Sequence, residues 1–282
     1  MVGACAASLP EPTSTDPVPA QHSAAQPEDA AAPTQTTWTG VLDEASFAAL
    51  HQLKEGDAPE LHGETIDLAG GEAYLSLPPG EGPFPGVVVI HEWWGLNDHV
   101  RHWTDRLAAD GYAAVAVDLY GGEVAADPDG ARKLMGSVDE AAAAETLAAA
   151  HGFLAADPRI QAPRRGVIGW CFGGGWSLRH ALGTADLDAA VIYYGRLETD
   201  PVKLGAIEAS LLGVFGNEDQ GIPPAAVDGF VRALEGAGKS IELHRYDAPH
   251  AFANPSSGRY DAASAEDAWG HVRRFLATQL KG

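Results

Sequence analysis

The sequence predicts an α/β protein with a mostly parallel central sheet and helices on both faces. The first observation is a series of short runs that are apolar at nearly every position, such as GVVVIH at 86–91 and AAVAV at 113–117. Such runs are typical of strands that are buried on both faces. The second observation is that helical patterns alternate with these runs, which favours parallel strands joined by crossover helices.

The first half of this pattern begins after residue 62. Segments 63–68 and 72–77 flank Ala69-Gly70-Gly71, and this turn sequence predicts a hairpin. The runs at 86–91 and 113–117 are predicted strands, and helical spacing of apolar residues predicts a helix between them at 99–109. An Ala-rich helix is predicted at 139–156, before Asp157-Pro158.

The second half repeats the alternation. Strand 165–169 leads into a predicted helix at 173–182. Pro223 occupies the first turn of a predicted helix at 223–235, where its missing N–H costs nothing. Three more strands are predicted, and a helix closes the chain; these segments are 189–193, 211–215, 241–246 and 262–280.

Composition divides the chain of 282 residues into a tail and one domain. Residues 1–40 are rich in Ala, Pro, Thr and Gln, and the first basic residue of the chain is Lys54. A segment of this kind buries too little apolar surface to offset the entropy of ordering, so it is predicted to be a disordered tether. Residues 41–282 are predicted to form the α/β domain, beginning with a short helix at 41–53.

The start of the tail allows two interpretations. Val2-Gly3-Ala4-Cys5 resembles the end of a bacterial lipoprotein signal, in which small residues precede a cysteine that becomes lipidated. A truncated signal would make Cys5 a lipidation site and the protein lipid-anchored outside the cytoplasm. If Met1 is the true start, Cys5 has no role and a cytoplasmic protein is expected.

Charge and composition exclude several classes of partner. The chain has 18 Lys and Arg against 39 Asp and Glu, and a net charge of -21 disfavours nucleic acid and anionic lipid. No apolar run is long enough to predict a membrane span. No nucleotide-binding glycine motif occurs, and the histidines at 91, 99 and 102 match no metal-ligand spacing. We therefore expect no cofactor, no metal, and a monomer rather than an obligate oligomer.

The strongest functional motif is Gly169-Trp170-Cys171-Phe172-Gly173-Gly174-Gly175, which follows a predicted strand and opens a helix. It matches the G-x-nucleophile-x-G elbow with cysteine as the nucleophile. A Cβ at either flanking glycine would crowd this turn. The helix N-terminus favours a thiolate, and the N–H of Phe172 can face a developing oxyanion. The alternative is a structural cysteine in a Gly-rich turn.

An acid and a histidine follow in the chain order that this elbow requires. Asp219 lies in the loop after strand 211–215, where it competes with Glu218 and with a role as a helix cap. His250 lies in the loop after strand 241–246, where a lone histidine is usually a surface residue. Because each candidate follows a strand in the required order, the sequence predicts a Cys171–His250–Asp219 triad.

The segment His91-Glu92-Trp93-Trp94-Gly95 directly follows strand 86–91 and is expected beside the elbow. The N–H of Trp93 is placed to supply a second oxyanion donor. Glu92 brings a carboxylate close to Cys171; the alternatives are a solvated loop acid and an ion pair with Arg101. Five aromatic residues either line a pocket or pack in the core: Trp93, Trp94, Trp103, Tyr120 and Trp176.

Over about residues 64–279 the chain resembles the dienelactone hydrolase family of α/β hydrolases. The resemblance rests on HEWWGLNDHVRHWTDRLAADGYAAVAVDLYGG, GVIGWCFGGG, GNEDQGIP and YDAPHAF. It implies an α/β-hydrolase fold and a Cys171–His250–Asp219 triad, with Glu92 helping to deprotonate the thiol when substrate arrives. It further implies attack on an ester or lactone carbonyl, a thioester acyl-enzyme and hydrolysis by water, with the N–H groups of Trp93 and Phe172 as oxyanion donors.

One departure from the family pattern concerns the substrate. Family members that act on dienelactone carry an arginine shortly after the catalytic histidine, where this chain has Asn254. A second arginine of these family members has only Arg132 as a loose match. Because the cations that would bind an anionic substrate are not both present, a neutral or singly charged ester is favoured. The candidate substrate-binding residues are Trp94, Tyr120, Arg132, Trp176, Phe252 and Asn254. A binding protein without turnover and a redox thiol protein on the same fold remain alternatives.

Overall fold

The computed structural model describes residues 60–282. Its strands are β1 (Glu64–Leu68), β2 (Gly71–Ser76), β3 (Gly86–Ile90), β4 (Ala113–Val117), β5 (Arg165–Trp170), β6 (Ala189–Tyr193), β7 (Ser210–Gly216) and β8 (Glu242–Tyr246). Its helices are α1 (Asp98–Ala109), α2 (Pro128–Ser137), α3 (Glu140–Ala156), α4 (Phe172–Gly183), α5 (Pro201–Leu204), α6 (Pro224–Gly236) and α7 (Ala262–Leu276), followed by a π-helical turn, Ala277–Lys281.

The strands form one mixed sheet in the order β1-β2-β4-β3-β5-β6-β7-β8. The pairs β1–β2 and β2–β4 are antiparallel, and every later pair is parallel. The chain moves from β3 to one side for β4 and then to the other side for β5. Because crossovers are right-handed, these opposite moves place α1 and α3 on opposite faces of the sheet.

Contacts between helices agree with this arrangement. On one face α1 packs against α7, with the rings of Trp103 and Trp269 4.6 Å apart. On the other face α3 packs against α4, where the rings of His151 and His180 lie 5.5 Å apart. The α/β architecture with both faces covered is therefore confirmed. Parallel strands that end at the same edge bring the loops after β3, β5, β7 and β8 together.

The structure contains two helices that the sequence pattern does not predict. Helix α2 begins with Pro128 after the cap Asp127, and Ala131 is its one buried residue. Its apolar residues Ala131, Leu134 and Met135 have helical spacing, but they span little more than one turn and mark no long helix. Helix α5 is four residues long, too short for a periodic signal.

Several predictions concern residues outside the described range of 60–282. The tether at 1–40, the helix at 41–53 and lipidation at Cys5 all remain predictions. The monomeric state, which concerns the whole protein, also remains a prediction. Within the described range, no helix combines the length and the apolar character that a membrane crossing requires.

The turn between β5 and α4 depends on close backbone contacts. A Cβ on Gly169 would lie 2.3 Å from the carbonyl oxygen of Gly173, and a Cβ on Gly173 would lie 2.3 Å from that of Ile90. No side chain fits at such distances, so the absence of a Cβ is what lets α4 approach β3 and β5 at this point.

Replacing Gly173 by alanine is therefore expected to lower the free energy of unfolding by about 2 kcal/mol or more, because the added methyl group forces the backbones apart. Gly183, at the end of the same helix, has no atom within 4 Å of an added Cβ and provides the control. Gly183→Ala should leave the stability unchanged or raise it by up to about 1 kcal/mol, since alanine is the better helix former. Urea unfolding measures both variants, and equal stabilities would contradict the contact argument.

Candidate active site

Cys171 lies on the turn between β5 and α4 in a backbone conformation that only a constrained residue adopts. Its φ is 53° and its ψ is -113°, and it is the N-cap residue of α4. Its N–H donates to the carbonyl oxygen of Tyr193 at 3.0 Å, which ties the turn to the end of β6. The side chain is partly exposed. Positive φ at a non-glycine residue costs about 1–3 kcal/mol, and such strain is characteristic of functional sites.

His250 and Asp219 are joined by a short hydrogen bond. Nδ1–H of His250 donates to Oδ2 of Asp219 at 2.6 Å. The other carboxylate oxygen accepts the N–H groups of Gly221 at 2.7 Å and Ile222 at 2.9 Å. Asp219 is buried whereas Glu218 is exposed, so the structure brings the first of the two candidate acids to the histidine. Burial raises the pKa of Asp219, but these hydrogen bonds lower it further than burial raises it.

The imidazole of His250 lies between this carboxylate and the thiol of Cys171. Burial lowers the pKa of His250, but the hydrogen bonds and charges of Asp219 and Cys171 outweigh burial and raise it to about 10. The ring of Tyr194 packs against the imidazole with centroids 5.0 Å apart. The protonated imidazole is therefore stabilised by Asp219, and by Cys171 whenever its sulfur carries a negative charge.

Glu92 lies two residues after the end of β3 and is buried, with 4% of its surface exposed. The Asn254 side-chain amide donates to Oε2 of Glu92. The oxygen of the same amide accepts the N–H of Ser256 at 2.8 Å and its hydroxyl at 2.6 Å, which fixes the orientation of Asn254. Arg101 pairs with Asp98, so the alternative ion pair with Glu92 is not formed.

The carboxyl of Glu92 has an unusual titration. Burial raises its pKa to about 7, although the charge of His250 and the hydrogen bond from Asn254 oppose this rise. Its second oxygen, Oε1, is buried without a hydrogen-bond partner among residues 60–282. A carboxyl group in this state can exchange a proton near neutral pH.

His91 organises the loop that carries Glu92, a role that the sequence analysis does not identify. It is fully buried, its Nδ1 lies 2.6 Å from the carbonyl oxygen of Glu92, and its Nε2 accepts the N–H of Leu119 at 3.1 Å. Burial lowers its pKa to about 4, so the ring is neutral and donates through Nδ1. Its ring also stacks on that of Phe172, with centroids 5.6 Å apart. His91 thus links the ends of β3 and β4 to the turn at Cys171.

The two predicted oxyanion donors are the N–H groups of Phe172 and Trp93. Phe172 is the first residue of α4, so its N–H has no acceptor within the helix. Trp93 follows Glu92 in a tight turn that is closed by a 3.3 Å hydrogen bond from the N–H of Gly95 to the carbonyl oxygen of Glu92. The ring of Trp93 packs on that of Trp94, with centroids 4.9 Å apart.

Two tyrosines lie near the sulfur atom. The hydroxyl of Tyr120 is buried without a hydrogen-bond partner in the described part of the chain. Burial raises its pKa, and the charges of Cys171 and Asp118 add to the rise. Tyr194 is absent from the predicted site; it has a φ of 34°, and burial together with the charges of Glu92, Tyr193 and Cys171 raises its pKa. Its position at the carboxyl end of β6 is the signal that could have identified it.

The structure places three of the predicted substrate-binding residues in the following surroundings. Trp176 is buried on α4, under the guanidinium of Arg179 at 4.7 Å. Phe252 is fully buried and packs against the rings of Tyr194 and Tyr246, where it supports the histidine loop. Arg132 is exposed on α2 and pairs with Asp129. Trp103, for which the sequence allows either pocket lining or core packing, packs in the core against Trp170 and Trp269.

The sheet has the strand order of an α/β hydrolase. The strained turn with Cys171 follows β5, Asp219 follows β7 and His250 follows β8, which is the arrangement typical of this fold. Comparison with known sequences identifies the family within this fold class. A sequence profile of the dienelactone hydrolase family matches residues 72–280, and the chain belongs to this family. It is therefore a hydrolase of the dienelactone hydrolase type.

Individual relatives agree with this assignment. A protein of Methylorubrum extorquens, provisionally named a carboxymethylenebutenolidase, is 33% identical over 219 residues, which cover 72% of this chain and 75% of the relative. A crystal structure provisionally described as a dienelactone hydrolase from Klebsiella pneumoniae is 30% identical, with a TM-score of 0.68, and covers 76% of this chain and 95% of its own. The dienelactone hydrolase-like promiscuous phosphotriesterase P91 from metagenomic libraries is 26% identical, with a TM-score of 0.71, over 77% of this chain and 98% of its own.

The raised pKa of Glu92 gives a prediction for stability. The folded protein retains the proton of Glu92 up to about pH 7, whereas an unfolded chain loses it above about pH 4.5. Stability is therefore lost as the pH rises between these values, and Glu92→Gln should abolish this loss. Near pH 8 the variant should be more stable than wild type by on the order of 2 kcal/mol, while its activity falls.

The measurement is urea unfolding of both proteins across this pH range, with the exposed Glu218→Gln as the control. The control should follow wild type at every pH. A constant difference in stability between Glu92→Gln and wild type would show that the carboxyl is not the group that titrates.

Proposed function

We propose that this protein hydrolyses a carboxylic ester or lactone with Cys171 as the nucleophile, His250 as the base and Asp219 as the residue that orients it. The observation that carries the proposal is the position of the His250 imidazole, between a buried carboxylate at 2.6 Å and the thiol on the strained turn. Nucleophile, base and orienting acid are the parts that acyl transfer requires.

The reaction then has two steps. The sulfur of Cys171 attacks the carbonyl carbon, and the N–H groups of Trp93 and Phe172 stabilise the negative charge on the carbonyl oxygen. The imidazolium of His250 gives its proton to the departing alkoxide, which leaves a thioester on Cys171. Water, deprotonated by His250, attacks the thioester and releases the carboxylic acid and the thiolate.

Glu92 supplies a second proton acceptor near the sulfur. Its carboxyl titrates near neutral pH, and Asn254 and Ser256 hold one of its oxygens in place. We propose that it accepts the thiol proton when substrate enters, because substrate excludes water and strengthens the interaction between neighbouring charges. The free enzyme then keeps its nucleophile as a protected thiol.

The substrate is a small neutral or singly charged ester or lactone. Asn254 stands where dienelactone-acting relatives have an arginine, and its amide already bonds to Glu92. The other candidate cation, Arg132, pairs with Asp129 on an exposed helix. A net charge of -21 also repels anionic substrates mildly. Trp94 and Tyr120 are the remaining candidates for contact with the acyl or alcohol group.

Two alternatives use the same fold without ester hydrolysis: a binding protein without turnover and a redox thiol protein. The first predicts labelling of Cys171 without any acyl-enzyme, and the second predicts peroxide consumption that requires Cys171. A substrate survey of short aryl esters, lactones and phosphotriesters, measured together with peroxide consumption, separates all three. Phosphotriesters are included because P91 is named for that activity.

Cys171→Ala is expected to abolish hydrolysis of short aryl esters and lactones, because it removes the thiol on which the acyl-enzyme forms. Cys5→Ser is the matched control, since the chain has only two cysteines, and it should keep full activity. Initial rates and mass spectrometry of the acylated protein measure the effect. Equal rates in wild type and Cys171→Ala would remove this thiol from the mechanism.

His250→Ala is expected to reduce kcat/KM by roughly 10⁴-fold or more, since the members of a triad act as a unit. Wild type and variant are compared on the best ester of the survey, with thermal unfolding to establish that the variant is folded. A loss below about tenfold would contradict the role of the imidazole as base.

Asn254→Arg tests the choice of substrate. An arginine here would add a cation beside Glu92, so the ratio of kcat/KM for an anionic lactone to that for a matched neutral ester should rise about tenfold. Asn254→Leu is the control: it removes the hydrogen bond to Glu92 without adding charge, and it should lower both rates without changing their ratio. A folded Asn254→Arg variant with an unchanged ratio would show that this position does not select substrate charge.

A further inference from the structure

A second cluster of titratable side chains lies where the edge strand β8 meets α7. Glu242 and His244 are two residues apart on β8, so their side chains point to the same face of the sheet. His271 on α7 completes the cluster, and one donor atom from each of the three residues lies within 4.8 Å of the other two. Neither the sequence motifs nor the proposed hydrolysis uses these residues.

We propose that Glu242, His244 and His271 bind a borderline divalent metal ion such as Zn²⁺ and thereby join β8 to α7. Two imidazoles and one carboxylate form a ligand set that such ions accept. In a tetrahedral site with ligands about 2.1 Å from the ion, donor atoms lie roughly 3.4 Å apart. Oε1 of Glu242 is 2.8 Å from Nε2 of His244 and 3.9 Å from Nδ1 of His271, so small side-chain rotations reach this spacing.

The residues around His271 support the same site. Its Nε2 lies 3.4 Å from Oδ2 of Asp267, and the hydroxyl of Tyr246 donates to the same oxygen at 2.8 Å. A histidine that binds metal usually donates its other ring N–H to a carboxylate. With Nδ1 directed at the ion, His271 makes this contact with Asp267, so the supporting shell is already in place.

Arg274 occupies the position that the ion would take at His271. Its guanidinium lies 2.8 Å from Nδ1 of His271, so this nitrogen carries a lone pair that faces a cation. Arg274 is exposed, so its side chain can turn into solvent when the ion binds. Arg274 is therefore a competitor of the metal.

The site has a structural consequence that does not depend on the proposed hydrolysis. Strand β8 ends at Tyr246, four residues before His250. An ion that links β8 to α7 binds the folded protein and not the unfolded chain, so it raises the unfolding temperature. Three protein ligands leave one coordination position for water.

The test uses the full-length chain with Cys5→Ser and Cys171→Ser, because both thiols would otherwise compete for the ion. Calorimetry with Zn²⁺ should show one tight site per chain, Co²⁺ should give the visible bands of a tetrahedral complex, and Zn²⁺ should raise the unfolding temperature. His244→Asn and His271→Asn should each remove all three signals, whereas His62→Asn, a histidine outside the cluster, should retain them. Asp267→Asn should weaken binding about tenfold or more.

Arg274→Ala gives the decisive comparison, because it should tighten the binding of Zn²⁺ by removing the competitor. This gain of affinity cannot result from a damaged fold. The proposal fails if the cysteine-free protein binds no ion, if the two histidine variants bind as tightly as their parent, or if Arg274→Ala binds no more tightly.

Discussion

The close approach of backbones at the turn between β5 and α4 is the constraint on which the site depends. At Gly169 and Gly173 the neighbouring backbone comes within 2.3 Å of where a Cβ would be, and this packing holds Cys171 at a φ of 53°. A less constrained turn would relax to an ordinary conformation and withdraw the sulfur from His250. The cost of about 1–3 kcal/mol for this conformation is offset by the sheet and helix that enclose the turn. The pairing of β5 and the packing of α4 thus determine the position of the Cys171 sulfur atom.

Burial and hydrogen-bond partners together give the titratable groups of the site different pKa values. His91 is held neutral, because burial lowers its pKa to about 4, and it positions the loop through two hydrogen bonds. His250 is held as a cation by Asp219 and Cys171, and its pKa rises to about 10. The pKa of Glu92 is about 7, between the values for the two histidines. Two histidines near the same turn therefore differ in charge because one has a carboxylate partner and the other has only backbone partners.

The sequence predicts the sheet, most helices and the three residues Cys171, Asp219 and His250, because each follows a strand whose buried run is easily recognised. Helix α2 is not predicted, since its apolar residues span little more than one turn and Ala131 is its single buried residue. The contact of Asn254 with Glu92 joins residues 162 positions apart, and no spacing rule reaches that far. The burial of Phe252 and the outward direction of Arg132 depend on tertiary packing in the same way.

The neutral amide of Asn254 has an electrostatic consequence for its surroundings. An arginine at this place would give Glu92 a permanent counter-ion, whereas an amide carries no charge, so the buried carboxyl of Glu92 retains a proton from the medium up to about pH 7. The fraction of Glu92 that is protonated then depends on the pH of the compartment in which the protein works. In the proposed mechanism, in which Glu92 accepts the thiol proton, the reactivity of Cys171 is thereby coupled to the surrounding acidity through an exchangeable proton rather than through a fixed charge.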